Sequence, residues 1–205
     1  MSEQGTAAWF SARIGKLTAS RMADAMGFKK DGKPTAARQK YMMEVVAERL
    51  TDTVARHFVS DAMQWGKDQE KNAKDAYFQM TGNAVKTCFF FDHFDIDNFG
   101  ASPDGLIDQD GLLETKCPTS PTHIKWVMSG VVPDEHKPQM LAQSLCTGRK
   151  WVDFVSYDPR IASAKRIFIV RYTPADEELR KVEEAAIQFL KEAEAMFDFM
   201  TTQAA

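Results

Sequence analysis

SPDGLIDQDGLLETK, residues 102–116, holds two short apolar runs that are separated by an Asp-Gly step, and the second run ends in Glu-Thr-Lys. An Asp-Gly step between apolar runs is a strong signal of a β-hairpin, so we predict one with its turn at residues 109–111. Side chains two positions apart in a strand share a face, which places Glu114 and Lys116 together. The hairpin folds Asp104 back beside them, so two acids and an ammonium group are predicted to meet at one strand end.

Two interpretations of this group of side chains are open. The ammonium of Lys116 neutralises a neighbouring acid in a simple ion pair, which contributes about 0–1 kcal/mol when exposed. Alternatively, two carboxylates and a backbone carbonyl are ligands that suit Mg²⁺ or Mn²⁺, with the lysine placed to stabilise charge on a phosphate. The spacing recurs by chance in unrelated chains and does not decide between the two.

The rest of the chain predicts a single α/β domain over residues 1–205, with helices covering a central mixed or mostly antiparallel sheet. Helical spacing and caps predict helices over 18–26, 36–50, 61–80, from 119, over 134–147 and from Thr173-Pro174 to about Met200. β-Branched and aromatic runs predict strands over 85–91, 151–158 and 165–172. In the helix over 61–80, the residues expected to face the core are Trp65, Ala73, Ala76, Tyr77 and Met80.

Composition narrows the class of protein. The chain has 205 residues, of which 44% are hydrophobic and 27% charged, so it can bury a sizeable core. We find no apolar run near the roughly 20 residues of a membrane span and no signal-peptide pattern. The three cysteines, Cys88, Cys117 and Cys146, are dispersed, which argues against a disulfide framework or an iron–sulfur site and favours the cytoplasm.

The net charge of −3 hides an uneven distribution. Residues 1–40 hold eight basic groups against three acids, whereas residues 174–205 hold three basic groups against eight acids. This asymmetry suits a basic face turned toward DNA, and equally a solvated N-terminal segment with a solvated C-terminal helix.

Rival sites fit the sequence poorly. In DHFDIDNFG, residues 92–100, aligning Asp95 and Asp97 with a calcium loop puts Phe99 and Leu106 at positions that need oxygen ligands, so a turn between strands is predicted instead. We find no zinc-hydrolase spacing and no phosphate-binding glycine loop. The histidines considered were His57, His93, His123 and His136.

Five motifs then occur in one order: WFSARIGKLTAS (9–20), WGKDQE (65–70), SPDG…LLETKCP (102–118), PQMLAQ (138–143) and SYDPR (156–160). Together they resemble the λ-exonuclease family of phage recombination nucleases, the YqaJ-like branch of the PD-(D/E)xK nucleases, over about residues 9–172. The resemblance implies a PD-(D/E)xK nuclease core, with a central mixed sheet flanked by helices and a long C-terminal helix.

The resemblance also implies roles for individual residues. Asp104, Glu114 and the carbonyl of Thr115 look like metal ligands, Lys116 like the catalytic lysine, and Gln139 like the active-site glutamine. Glu70 is similar to the helical acid that contacts the water shell of the metal. Read without the family, Glu70 would pair with Lys74 one helical turn away.

Three residues match the family's pocket for a terminal 5′-phosphate: Arg13, Ser20 and Ser102. A guanidinium fork with two hydroxyls satisfies phosphate oxygens well, although Ser20 also suits a helix cap. One departure concerns the glutamines, because the family often repeats one two positions after Gln139. Here Leu141 occupies that position and the next glutamine is Gln143.

The function implied is a Mg²⁺-dependent (or Mn²⁺-dependent), ATP-independent 5′→3′ exonuclease that degrades one strand of linear double-stranded DNA to 5′-mononucleotides and leaves 3′ overhangs. The family further implies a ring-shaped homotrimer around DNA and a single-strand annealing protein as partner, in a phage or prophage setting within the bacterial cytoplasm and away from membranes. Two alternatives stay open: a site-specific restriction-type endonuclease, and a non-catalytic DNA-binding module.

Overall fold

The computed structural model describes residues 6–54 and 60–202, apart from the side chain of Met63, so Glu3 and His57 lie outside the described residues. The α-helices are α1 (Ala7–Ser11), α2 (Met22–Ala25), α3 (Ala36–Thr51), α4 (Asp61–Thr81), α5 (Ser120–Ser129), α6 (Lys137–Thr147) and α7 (Asp176–Thr201). The strands are β1 (Leu17–Thr18), β2 (Val85–Lys86), β3 (Phe91–Asp92), β4 (Phe99–Ala101), β5 (Gly105–Ile107), β6 (Gly111–Lys116), β7 (Trp151–Tyr157) and β8 (Ile167–Tyr172). Short 3-10 helices span Ala19–Arg21, Asp134–His136 and Ala164–Arg166.

The predicted hairpin forms the centre of the larger sheet. β5 and β6 pair antiparallel, with Gly105 opposite Leu113 and Ile107 opposite Gly111. β6 then runs parallel to β7, with Lys116 opposite Ser156. The sheet order is β2-β5-β6-β7-β8, which confirms the mixed sheet predicted from the sequence.

Helices cover both faces of this sheet. On one face, α4 packs Tyr77 against a cluster that includes Leu113 of β6. On the other face, Met140 of α6 packs against a cluster that includes Leu112. Because side chains alternate along a strand, Glu114 and Lys116 follow Leu112 onto the α6 face.

A second sheet, of order β1-β4-β3, lies beside the main core. It packs with α2, α3, α6 and α7 around a shared apolar cluster, to which α7 contributes an apolar stripe. The buried members of that stripe are Val182, Ala186, Phe189, Leu190 and Ala193. Of the described helices, none is long and apolar enough to cross a membrane.

The largest departures from the predictions concern one strand, one helix and one core residue. The strand predicted over 85–91 is two strands in different sheets, because β2 pairs with β5 while β3 pairs with β4. The helix predicted over 18–26 is shorter, since Thr18 belongs to β1, opposite Gly100. Met80 is 58% exposed, because α4 contacts the sheet through Ala73 and Tyr77 and its last turn extends past this contact.

Candidate active site

Asp104 and the end of β6 form one hydrogen-bonded unit. The Oδ2 atom of Asp104 accepts from the backbone N–H and from the hydroxyl of Thr115, both at 2.7 Å. A strand residue turns its N–H and its C=O toward the same neighbour, so the Thr115 carbonyl lies on the Asp104 edge of β6. Among the described residues, no donor reaches the Oδ1 atom of Asp104, which leaves this oxygen available to a ligand.

Glu114 lies buried at the end of β6 and is held by two glutamines of α6. Its Oε1 atom accepts from Gln139 Nε2 at 2.7 Å, and its Oε2 atom accepts from Gln143 Nε2 at 2.6 Å. Lys116 donates to Oε1 of Glu114 and lies 3.3 Å from Oε1 of Gln139. Glutamines four positions apart share one helix face, so α6 presents both amides to the same carboxylate.

Burial, together with the negative charge of Asp104, raises the pKa of Glu114 to about 7, against the opposing effects of Lys116 and Gln143. The side chain is 1% exposed, so its negative charge is poorly solvated and only partly compensated. A cation close to both carboxylates would supply the missing compensation.

Lys116 remains charged at neutral pH. Burial alone would lower its pKa, but the carboxylates of Glu114 and Asp104 outweigh burial and raise it. A group with this property donates hydrogen bonds and stabilises negative charge; it is poorly suited to accept a proton near pH 7.

The donor set fits a hard divalent ion. Within residues 6–54 and 60–202, no three His, Cys, Asp or Glu side chains cluster as a ligand set. A cation at the end of β6 would have the two carboxylates of Asp104 and Glu114 and the Thr115 carbonyl as protein ligands, with water completing the shell. Mg²⁺ is usually bound in this way, through one or two carboxylates with several waters retained.

Glu70 lies on α4, the helix that packs against the opposite face of β6. Its carboxylate accepts from Lys74 at 2.5 Å, which is the pairing one helical turn away that the sequence also allowed. Its charge still acts on the site region, because it helps to raise the pKa of Cys117 after burial and Asp104. The assignment of Glu70 to the metal's water shell stays a prediction.

The residues predicted to bind a 5′-phosphate lie close together: Arg13 contacts Ser20 directly and is linked to Ser102 through Trp9. Arg13 Nη2 donates to Ser20 Oγ at 3.5 Å, and Trp9 Nε1 donates to Ser102 Oγ at 2.8 Å. The Arg13 guanidinium lies over the Trp9 ring, 4.2 Å from its centroid, and 5.8 Å from that of Phe90. Burial lowers the pKa of Arg13, so an anion that binds there would stabilise its charge.

Three residues at the site were not predicted from the sequence: Trp9, Phe90 and Gln143. Gln143 had a usable signal, since it stands one helical turn after Gln139 on the face expected to meet β6. Trp9 and Phe90 gave none, because an aromatic residue in an apolar segment is usually a core residue and its ring partner depends on the fold.

Comparison with known proteins agrees with this architecture. The family model of the YqaJ-like viral recombinase domain matches residues 8–150. Among solved structures, the alkaline exonuclease LHK-Exo from Laribacter hongkongensis is 42% identical, with a TM-score of 0.88 over 95% of this chain and 96% of that chain. The same figures hold for LHK-Exo in complex with dAMP.

A more distant structure shares the fold. A phage-related exonuclease from Haemophilus somnus 129PT gives a TM-score of 0.68 at 17% identity, over 91% of this chain and 96% of that chain. Curated proteins provide no sequence match to the chain.

Proposed function

The chain belongs to the YqaJ-like viral recombinase domain family, and from this membership we propose that it is a Mg²⁺-dependent, ATP-independent 5′→3′ exonuclease. Its substrate is the end of linear double-stranded DNA. One strand is degraded to 5′-mononucleotides, and the 3′ overhang that remains is the substrate for annealing during recombination.

One observation carries the proposal: Asp104, Glu114 and Lys116 converge at the end of β6, where Gln139 joins them. A simple surface ion pair would not bury a carboxylate to 1% exposure and surround it with three hydrogen-bond donors. Such burial is costly in free energy unless the charge meets a partner, and a hard cation is the partner that these oxygens suit. A relative that is 42% identical is an alkaline exonuclease, which supports the same chemistry.

Asp104, Glu114 and the Thr115 carbonyl would hold the metal. A divalent ion held by these residues would supply Lewis-acid chemistry for the hydrolysis of a phosphodiester. Mn²⁺ prefers the same oxygen donors and is expected to substitute for Mg²⁺.

The side chains around the scissile phosphate then have distinct tasks. Lys116, charged at neutral pH, stabilises negative charge that develops on the phosphate. Gln139 fixes the orientation of the Glu114 carboxylate through Nε2, and its Oε1 atom lies 3.3 Å from the ammonium. Glu70, on α4, is assigned to the water shell around the ion.

The polarity of digestion follows from end recognition. Arg13, Ser20 and Ser102 form the pocket for a terminal 5′-phosphate, in which a guanidinium and two hydroxyls bind the phosphate oxygens. Arg13 contacts the Ser20 hydroxyl and two aromatic rings, and the Glu48 carboxylate acts on it as an electrostatic influence that opposes the effect of burial. Because burial still lowers its pKa on balance, the guanidinium would gain from pairing with a phosphate.

Assembly as a ring-shaped homotrimer accounts for DNA binding by a chain with a net charge of −3. A ring encloses the duplex, so fewer ion pairs per subunit keep the enzyme on its substrate. A single-strand annealing protein that loads onto the 3′ overhang is the partner, in the cytoplasm of a bacterium that carries the phage or prophage.

Digestion of a linear duplex labelled at one 5′ or one 3′ terminus tests the proposal. With Mg²⁺, we expect early release of the 5′ label as a mononucleotide, retention of the 3′ label until late, and no product in EDTA. Covalently closed plasmid is the matched control and is expected to stay intact.

Each other outcome has a defined meaning. Discrete fragments from closed plasmid would indicate a site-specific endonuclease, and early loss of the 3′ label would reverse the polarity. Binding of DNA without product in either Mg²⁺ or Mn²⁺ would indicate a non-catalytic module.

A further inference from the structure

Trp9 links the two chain segments that carry the proposed phosphate pocket. It lies on α1, whose N-cap residue Thr6 accepts a hydrogen bond from the Trp9 backbone N–H at 3.2 Å. Its indole Nε1–H donates to Ser102 Oγ at 2.8 Å, across 93 positions of sequence. The face of the same indole contacts the guanidinium of Arg13.

The indole determines how the Ser102 hydroxyl can be used. Indole nitrogen is a donor only, so Ser102 Oγ must accept in this contact. A hydroxyl has one proton to donate, and the contact with Trp9 leaves that proton free to point elsewhere. Ser102 is therefore arranged as a donor, which is what an incoming phosphate oxygen requires.

The ring has a second effect on Arg13. The guanidinium lies 4.2 Å from the Trp9 centroid, and Phe90 lies at 5.8 Å. The attraction between a cation and an aromatic face holds the guanidinium against the ring. With its face covered in this way, Arg13 keeps the edge of its planar group for bidentate contact with an anion.

We propose that Trp9 is a positioning residue for recognition of the 5′-phosphate. Its indole N–H orients the Ser102 hydroxyl so that the hydroxyl proton can be donated to the phosphate, and its ring packs against one face of the Arg13 guanidinium. The inference rests on the proposed function, because it assigns to Trp9 a role in the end-recognition pocket of that function. Trp9 itself does not touch the phosphate.

The test compares Trp9→Phe, Ser102→Ala and the double variant. Phenylalanine keeps an aromatic face for Arg13 but removes the indole N–H. The measured quantity is the ratio of kcat/KM on a duplex with a 5′-phosphate to kcat/KM on the same duplex with a 5′-hydroxyl. We expect Trp9→Phe to lower this ratio about two- to tenfold, as for loss of one hydrogen bond. We expect the double variant to fall no further than Ser102→Ala alone.

Trp151→Phe is the matched control. Trp151 also supports an arginine, with Arg171 at 3.5 Å from its centroid, but it stands opposite Gly111, at the far end of β6 from Lys116. We expect this variant to keep the wild-type ratio, which separates loss of an indole in general from loss of the indole in the pocket.

A second measurement on the wild-type chain guards against a Trp9→Phe variant that does not fold. The indole ¹⁵N–¹H resonance of Trp9 is expected to shift when a 5′-phosphorylated dinucleotide is added, and to stay in place with the 5′-hydroxyl form. An unmoved Trp9 resonance on addition of a phosphorylated ligand that binds would overturn the inference.

The kinetic outcomes separate the two proposals. If the wild-type enzyme does not distinguish phosphate from hydroxyl ends, the end pocket itself is wrong and the role of Trp9 in it is wrong as well. If the wild-type enzyme prefers phosphate ends while Trp9→Phe keeps the full preference, the inference about Trp9 fails and the proposed function stands. Multiplicative losses in the double variant would equally show that Trp9 acts apart from Ser102.

Discussion

Raising the pH of the metal-free protein is expected to destabilise it through Glu114. In the unfolded chain this carboxyl ionises near its ordinary pKa of 4.5, whereas in the folded chain burial raises the pKa to about 7. Between these values the folded state binds more protons than the unfolded state, so the free energy of unfolding falls as the pH rises through this window. At 1.36 kcal/mol per pH unit, the loss of unfolding free energy across this window is on the order of 3 kcal/mol.

The assay is thermal unfolding in EDTA at pH 4.5 and at pH 8, with Glu114→Gln as the reference. The variant removes this titration while every other group still titrates, so the difference between the two proteins isolates Glu114. We expect wild type to lose about 3 kcal/mol relative to the variant between the two pH values. This corresponds to roughly 6–12 °C in Tm for a domain of this size.

Mg²⁺ gives the second half of the test. Because the ion binds the ionised carboxylate, it is expected to raise the Tm of wild type more at pH 8 than at pH 4.5, and to raise that of Glu114→Gln less. If the Tm of wild type in EDTA changed with pH as much as that of Glu114→Gln, the inference that Glu114 is a buried carboxylate with a raised pKa would be wrong. If Mg²⁺ raised the Tm of both proteins equally, Glu114 would not be a ligand of the metal.

Four further outcomes are expected. Lys116→Ala abolishes cleavage and leaves DNA binding in a mobility-shift assay; retained turnover would remove the lysine from the mechanism. Ca²⁺, which tolerates loose geometry, supports binding without turnover, and rapid hydrolysis in Ca²⁺ would contradict the metal site. Arg13→Ala slows digestion of 5′-phosphorylated ends more than that of hydroxyl ends, and equal slowing would oppose the pocket. Asp153→Ala lowers the free energy of unfolding by about 3 kcal/mol in denaturant titration, because Tyr77 and a half-exposed Arg171 lose their buried carboxylate partner; a loss below 1 kcal/mol would contradict this.

The hairpin was predictable because its signals are local. The Asp-Gly step signalled a hairpin, although the turn lies at residues 108–110, one position before the prediction, and Asp108 rather than Gly111 has the positive φ. The two-residue period of a strand determines which side chains share a face. From these rules alone, Glu114 and Lys116 were placed together with Asp104 nearby. The helices α3, α4 and α7 were predictable for the same reason, since helical spacing is a property of a single segment.

The prediction of one strand over 85–91 was wrong because the propensity of a residue for extended backbone does not specify the strand with which it pairs. Val85 and Phe91 both favour extended backbone, and both are in strands. Which sheet each joins depends on residues far along the chain: Ile107 for Val85 and Ala101 for Phe91. Between the two strands, the Cys88 thiol donates to the Pro103 carbonyl at 2.8 Å, so the chain passes next to the residue that precedes Asp104.

The glutamines of α6 show that helix packing determines which residues contact Glu114, a point that the sequence alone does not settle. Leu141 stands where the resemblance to the family implies a second glutamine, two positions after Gln139. Two positions on a helix of 3.6 residues per turn are about 200° of rotation, so residue 141 points away from the Glu114 side. Leu141 is in fact buried in the cluster shared with α7, where an amide would lack a partner. Four positions restore the facing direction, and Gln143 supplies the second hydrogen bond to Glu114. In this packing the second amide that binds Glu114 must come from position 143. Leucine at position 141 therefore removes no hydrogen bond from the carboxylate.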